Sequence, residues 1–199
     1  SGAFTTAAGM VALTEKYLKD GFDQGLDKSS VVILGGTGPV GVASAVICAK
    51  AGANVRLVGR SIEKAEKTAA ICNDRYQSKN VVAGADADKQ DYLNKADIVL
   101  NTGAAGIQLM SDENIQMSSN LKICADTNAV PPSGIAGVDV MDSGKIMEKS
   151  PNKCRGIGAL AIGNVKYKSQ HECLKLMYTS DDPVYLDFED AFKFAQKSV

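Results

Sequence analysis

A glycine-rich segment follows the first strongly apolar run of the sequence. In "VVILGGTGPVGVASAV", the pattern G-x-G-x-x-G falls at Gly36, Gly38 and Gly41, between an apolar run and a helix-forming stretch. In that context Gly36 permits a tight turn, Gly38 leaves room for a pyrophosphate, and Gly41 lets the helix pack close to the strand. Pro39 fits the first helical position, where a missing N–H costs nothing. The segment predicts a dinucleotide-binding loop; the alternative is a turn that binds nothing.

The end of the second apolar run indicates which dinucleotide is bound. It reads "LVGRS", with Arg60 where an NAD-preferring site usually has Asp or Glu, then Ser61 as a helix N-cap and Lys64 one turn on. A guanidinium can make paired hydrogen bonds to a 2′-phosphate, which a carboxylate would repel. These residues predict NADP as the cofactor. The alternative is that Arg60 is a solvated surface charge.

The order of elements predicts the fold. Apolar, β-branched runs alternate with helical stretches at short intervals, and no composition shift marks an internal boundary. This alternation is typical of an α/β protein with a parallel sheet covered on both faces. We therefore expect residues 1–199 to form a single Rossmann-type domain with a doubly wound parallel sheet. The predicted strands lie in "SSVVILGG", "NVRLVGRS", "NVVAGAD", "DIVLNTGAAG", "SNLKICADTNAV" and near Arg155–Ile157.

Polar residues at later strand ends are the next candidates. Ligands of open parallel sheets lie beyond the carboxyl ends of the strands, where Asp126 and Asn128 occur in "DTNAVPPSG". They could hold a nicotinamide carboxamide or face the substrate, or they could cap their own turn. No residue stands out as a catalytic acid or base, which a hydride transfer between positioned partners tolerates. With one histidine and no clustered carboxylates, we expect no metal site.

Composition narrows the possible partners and the compartment. The net charge is −1 with scattered Lys and Arg, which argues against nucleic-acid binding, and no apolar run is long enough to span a membrane. The five cysteines form no CxxC pair, and several lie in apolar runs. We interpret them as buried free thiols of a cytoplasmic protein.

Several longer segments resemble a known family. The stretches "SGAFTTAA", "GGTGPVG", "GRSIEKA", "NTGAAGIQLM", "ADTNAVPPSGIAGVD" and "GIGALAIGNVKYK" are similar to methylene-tetrahydromethanopterin dehydrogenases of the NADP-dependent, methylotroph type. The resemblance runs over essentially the whole chain. It implies an enzyme of one-carbon metabolism that transfers hydride from a methylene-pterin, on tetrahydromethanopterin or tetrahydrofolate, to NADP. It also suggests a homo-oligomer.

The resemblance implies roles for individual residues. The phosphate loop corresponds to Thr37, Gly38, Pro39 and Val40, and the 2′-phosphate end to Arg60, Ser61 and Lys64. The loop near the nicotinamide corresponds to Thr102, Gly103 and Ala104, and the region closing over the cofactor to Asn128 and the Gly158–Ile162 stretch.

The beginning of the chain corresponds to a domain seam in that family, whose members have a domain of roughly a hundred residues before the equivalent of "SGAFTTAA". We therefore interpret residues 1–20 as a connecting helix, with Thr5 and Thr6 as its cap and as hydroxyls lining the substrate cleft with Asp126. We expect residues 1–199 as a whole to bind NADP without turnover by themselves. Two alternatives stay open: a reductase of the shikimate- or glutamyl-tRNA-reductase type on the same scaffold, and a stand-alone NADP-binding module.

Overall fold

The computed structural model describes residues 2–199, and its centre is one seven-stranded sheet with the strand order β3-β2-β1-β4-β5-β7-β6. The first five strands and β7 are parallel. All of their carboxyl ends therefore lie at one edge, where the candidate ligand site is expected. The strands are β1 (Ser30–Leu34), β2 (Asn54–Gly59), β3 (Val81–Ala85), β4 (Ile98–Asn101), β5 (Ile123–Asp126), β6 (Ser143–Ile146) and β7 (Arg155–Ile157).

Helices cover both faces of the sheet, which confirms the predicted doubly wound α/β fold. On one face α1, α2, α3, α6 and α7 share a core with the sheet, and α5 belongs to a second core on the other face. The helices are α1 (Ala3–Phe22), α2 (Pro39–Lys50), α3 (Ile62–Tyr76), α4 (Lys89–Leu93), α5 (Asp112–Met117), α6 (Ala159–Thr179) and α7 (Phe188–Gln196).

The central strands are buried on both sides, as continuous apolar runs predict. All four residues of β4 and all four of β5 are buried, as are the last four of β1. Alternate side chains of β1 point into different cores: Ile33 lies in the first and Val32 in the second. The sheet is therefore a rigid support for the loops that follow its strands.

Two elements were not expected from the sequence. Strand β6 pairs antiparallel with β7 at the edge of the sheet, so the sheet is mixed and not wholly parallel. Its residues "SGKI" are mostly exposed and lack an apolar pattern. Helix α5 has only six residues, too few to show helical periodicity, and begins with a capping box between Ser111 and Asn114.

Helix α1 belongs to the main core. Its residues Ala7, Ala8, Met10 and Val11 are fully buried. Small residues allow close contact with α6, and a side chain on Gly9 would come within 3.0 Å of the Ile162 carbonyl oxygen. Whether α1 also connects to a further domain stays a prediction.

The predicted cap of α1 is wrong. Gly2 is the N-cap residue, and no side chain caps the helix. The Thr6 hydroxyl donates a hydrogen bond to the Gly2 carbonyl oxygen at 2.6 Å, and that of Thr5 points to the same oxygen at 3.4 Å. Both hydroxyls therefore lie within the first helical turn. Phe4, beside them, stacks edge-on against Phe188.

The cysteines are free, as expected. Four are buried and Cys173 is half-buried. Burial, with a smaller contribution from Glu15, raises the pKa of the Cys48 thiol to about 12. Burial also raises the pKa of Cys72 to about 11, so these thiols are protonated and unreactive at neutral pH. Within residues 2–199, no helix has the length and apolar character needed to cross a membrane.

A buried carboxylate ties together the loops at the strand ends. Asp126, at the end of β5, is 1% exposed. One of its oxygens accepts hydrogen bonds from the Asn101 amide at 2.7 Å and the Asn128 backbone N–H at 2.9 Å, and the other accepts from the Ile135 N–H at 2.9 Å. Asp126 thus links β4, β5 and the loop that follows β5.

Replacing Asp126 by Ala should therefore destabilise the fold. Three buried donors would lose their acceptor, which we expect to lower the free energy of unfolding by about 3 kcal/mol. Urea unfolding followed by circular dichroism measures this change. The matched control is Asp88→Ala in an exposed turn, where the carboxylate accepts only a 3.4 Å contact from Tyr92. Equal effects of the two substitutions would contradict the structural role of Asp126.

Candidate cofactor site at the carboxyl edge of the sheet

A cavity of about 540 Å³ opens where β1, β2, β3 and β4 end. It gathers residues from four separate loops, and one side of it carries the side chains of Arg60 and Lys64. Seven of the predicted cofactor-binding residues line it: Thr37, Gly38, Arg60, Lys64, Thr102, Gly103 and Ala104.

The glycine loop needs its glycines for close contacts, although the tight turn lies one residue earlier than expected. Gly35, not Gly36, has the positive φ of +65°, and a side chain on it would come within 2.5 Å of the Gly103 Cα atom. A Cβ on Gly41 would lie 2.3 Å from the Gly36 carbonyl oxygen. Gly41 therefore lets α2 lie directly against the loop. The prediction was close packing against the strand, and the contact is made two residues beyond the end of β1.

Gly38 is the open position of the loop. It is the N-cap of α2 in an extended conformation, and apart from its two neighbours in the chain no residue comes within 4 Å of where its Cβ would be. Pro39 follows as the first residue of the helix, as predicted. The space above Gly38 and the first-turn N–H groups of α2, which include that of Val40, suit an anionic ligand.

Two cations lie beyond β2: Arg60 directly after the strand and Lys64 in the first turn of α3. Arg60 is exposed at the strand end, and Ser61 caps α3 by accepting a 3.2 Å hydrogen bond from the Lys64 backbone N–H. Within residues 2–199, neither Arg60 nor Lys64 forms an ion pair with a carboxylate. The Ser61 hydroxyl donates to Glu63 at 2.7 Å, which lowers the pKa of that carboxyl and keeps it ionised. Ser61 must rotate its proton away from Glu63 before it can donate to an anion.

The loop after β4 is held against the glycine loop. The Thr102 backbone N–H donates to the Leu34 carbonyl oxygen at 2.9 Å, and its hydroxyl donates to the same oxygen at 3.1 Å. The Gly103 N–H donates to the Asn101 side chain at 3.1 Å. These bonds fix the loop so that two small residues, Gly103 and Ala104, line this side of the cavity.

The structure does not bring Asp126 into the cleft. Its carboxylate is buried, and both oxygens are occupied by Asn101, Asn128 and Ile135, so the expectation that it faces the substrate is corrected. Its role is the turn-capping alternative. The sequence pattern could not show whether the side chain at the end of β5 is buried or exposed.

Asn128 and Gly158 lie outside the cavity. The Asn128 carboxamide accepts hydrogen bonds from the Gly106 and Val130 backbone N–H groups, at 3.2 and 3.0 Å, and donates to Pro132 at 2.8 Å. Gly158 is buried at the start of α6, where a side chain would come within 2.0 Å of the Asp139 carbonyl oxygen. Both positions shape loops; a direct contact with a cofactor stays a prediction for each.

Several cavity residues were missed by sequence reasoning. Asp86 follows β3 and adds a carboxylate to the cavity, and apolar contacts come from Val58, Ile107 and Leu109. The signal for Asp86 was present in "NVVAGAD", where a polar residue ends a predicted strand. The loop containing Ile107 and Leu109 has no such signal.

Solved structures with similar folds are dehydrogenases and related proteins. The chain is 15% identical to quinate dehydrogenase from Corynebacterium glutamicum in complex with NAD, with a TM-score of 0.57 over 98% of this chain and 62% of that one. It is 17% identical to shikimate dehydrogenase from Aquifex aeolicus, with a TM-score of 0.56 over 96% and 60%. At these identities the likeness establishes the fold alone.

Sequence comparison gives closer relatives, both from Methylorubrum extorquens. The chain is 38% identical over 198 residues to an NAD(P)-dependent methylenetetrahydromethanopterin dehydrogenase. The aligned segment covers 98% of this chain and 66% of the relative. It is 38% identical over 200 residues to the bifunctional protein MdtA, again covering 66% of the relative. No protein-family model matches the chain.

The chain thus spans about two thirds of the length of both curated relatives. The identity extends over nearly all of the chain, from the first helix through the strand ends that form the cavity, and agrees with the resemblance in the sequence motifs. This chain belongs to the family of NAD(P)-dependent methylenetetrahydromethanopterin dehydrogenases.

Proposed function

We propose that this chain is the NADP-binding domain of a dehydrogenase that oxidises a methylene-pterin in one-carbon metabolism. The observation that carries the proposal is a pair of cations in the cavity, Arg60 after β2 and Lys64 in the first turn of α3, beside a glycine loop that is open at Gly38. A Rossmann site without a carboxylate at that strand end favours a 2′-phosphate over a 2′-hydroxyl.

The residues fit NADP from one end of the cavity to the other. The 2′-phosphate would lie at Arg60 and Lys64, where two positive charges have no carboxylate partner within residues 2–199. The pyrophosphate would lie over Gly38 at the N-terminus of α2. The nicotinamide half would lie along Gly103 and Ala104, where small residues leave the backbone accessible.

When bound, NADP supplies the hydride acceptor. The domain's own contribution is to orient that acceptor. The contact of Gly35 with Gly103 fixes the glycine loop relative to the loop after β4, and NADP would bind to both loops. A methylene carbon between two nitrogens gives up hydride readily, so correct positioning replaces acid–base catalysis. The domain therefore needs no protein proton donor for the transfer.

The name of one relative supports a pterin substrate carrying a one-carbon group. One relative is named for methylenetetrahydromethanopterin, and we extend that substrate class, with methylenetetrahydrofolate as a second member, to the protein that contains this domain. We place the protein in the cytoplasm as a homo-oligomer, and the protected thiols suit a reducing compartment.

A second candidate function rests on the fold. Shikimate and quinate dehydrogenases share this architecture, so a reductase acting on a hydroxy acid would use the same cofactor cleft. A non-catalytic NADP-binding module is the third. The sequence relatives favour the first candidate.

The cofactor preference is tested by Arg60→Ala. We expect the Kd for NADPH to rise at least about tenfold, because a charge-assisted hydrogen bond to the 2′-phosphate is lost. The Kd for NADH, which lacks that phosphate, should change less than about twofold. Fluorescence titration of the reduced nucleotides measures both.

The matched control is Arg75→Ala, at the other end of α3, where the guanidinium lies over the Tyr76 ring and away from the cavity. It removes the same charge and should leave both affinities unchanged. Wild-type protein that binds NADH as tightly as NADPH would refute the preference for NADP.

The substrate class is tested with the protein expressed from its complete reading frame. We expect NADP reduction with methylene-tetrahydromethanopterin or methylene-tetrahydrofolate and none with shikimate, because one relative is named as a methylenetetrahydromethanopterin dehydrogenase. The rate is measured from the increase in absorbance as NADPH forms. Reduction with shikimate alone would establish the second candidate, and NADPH binding without turnover of any substrate would favour the third.

A further inference from the structure

Asp86 is the one carboxylate that lines the cavity within residues 2–199, and the cofactor contacts proposed above do not use it. Its side chain is 41% exposed, and its ionic partner is Lys89, with 3.5 Å between the ammonium nitrogen and one carboxylate oxygen. A carboxylate beside Arg60 and Lys64 opposes the binding of a phosphate. In a site for NADP, such a carboxylate is favourable only beside a ligand group that can donate a hydrogen bond to it.

The register of the sheet fixes where Asp86 lies. Gly59 of β2 pairs with Ala85 of β3, so Arg60 and Asp86 leave neighbouring parallel strands at the same level. Such strands are about 4.8 Å apart. The sheet order then places the glycine loop, Arg60 and Asp86 in sequence along the carboxyl edge, with Asp86 outermost.

The groups of NADP would lie along the carboxyl edge in the same order. With the pyrophosphate at the glycine loop and the 2′-phosphate at Arg60, the adenine base on the same ribose extends outward to the end of β3. An ionised carboxylate only accepts hydrogen bonds. The donor that adenine offers is its exocyclic amine.

We infer that Asp86 accepts a hydrogen bond from the exocyclic amine of the adenine base and so selects adenine over a base with a carbonyl at that position. The inference rests on the proposed function, since it requires a bound adenine dinucleotide. The Lys89 ammonium holds one carboxylate oxygen and leaves the other for the base.

The test compares NADP with nicotinamide hypoxanthine dinucleotide phosphate, in which a carbonyl replaces the amine. That carbonyl oxygen would face the Asp86 carboxylate, acceptor against acceptor. Wild-type protein should bind the hypoxanthine analogue at least about tenfold more weakly than NADP in isothermal titration calorimetry. This comparison needs no substitution and cannot fail through misfolding.

Asp86→Asn gives the second arm. An asparagine amide both donates and accepts, so it can pair with either base, and the ratio of the two Kd values should fall to within about twofold. The matched control is Asp88→Asn, which removes the same charge from the same turn but lies outside the cavity. The control should keep the wild-type ratio.

The outcomes separate the inference from the proposed function. Equal wild-type affinities for the two nucleotides would overturn the inference, and so would an Asp86→Asn ratio equal to that of wild type. A uniform rise in affinity for both nucleotides in Asp86→Asn would place Asp86 near the phosphate and would also overturn it. Failure of the wild-type protein to bind NADP at all would instead refute the proposed cofactor site.

Discussion

The backbone of Gly35 touches the backbone of Gly103, and the rest of the candidate site depends on this contact. A side chain at Gly35 would come within 2.5 Å of the Gly103 Cα atom, so the loops after β1 and β4 can meet only because glycine is present. Gly41 plays the corresponding part for α2, whose first turn rests on the Gly36 carbonyl oxygen. The glycine loop and the loop after β4 are therefore fixed relative to each other by direct backbone contact.

Buried hydrogen bonds at the ends of β4 and β5 hold the same loops in place. Asp126 bonds to the Asn101 side chain, which in turn accepts the Gly103 N–H, so the buried hydrogen bonds continue from β5 to the wall of the cavity. Asn128 fastens the loop that contains Gly106. Asn101 and Asp126, at the ends of β4 and β5, thus hold the loops in place without lining the cavity. The charged residues that line it, Arg60, Lys64 and Asp86, follow β2 and β3.

Much of this arrangement could be predicted from the sequence, because strand–helix alternation fixes which loops share one edge of a parallel sheet. The glycine loop and Arg60 were identified from their positions after predicted strands, and Thr102 was identified through the family resemblance. Asp126 was misjudged because burial at a strand end depends on partners in other loops, such as Ile135. Asp86 was missed because its place beside Arg60 in the cavity comes from the pairing register of β2 and β3, which the sequence alone does not give. Strand β6 was missed because it pairs through an exposed segment with no periodic signal.

In the proposed complex, the 2′-phosphate of NADP lies between Arg60 and Lys64. The most direct measurement is phosphorus NMR of NADP bound to this chain, followed as a function of pH. Two neighbouring cations stabilise the dianion, so the 2′-phosphate should titrate at lower pH in the complex than in free NADP. A bound nucleotide whose pyrophosphate signals shift while its 2′-phosphate titrates as in solution would contradict the account.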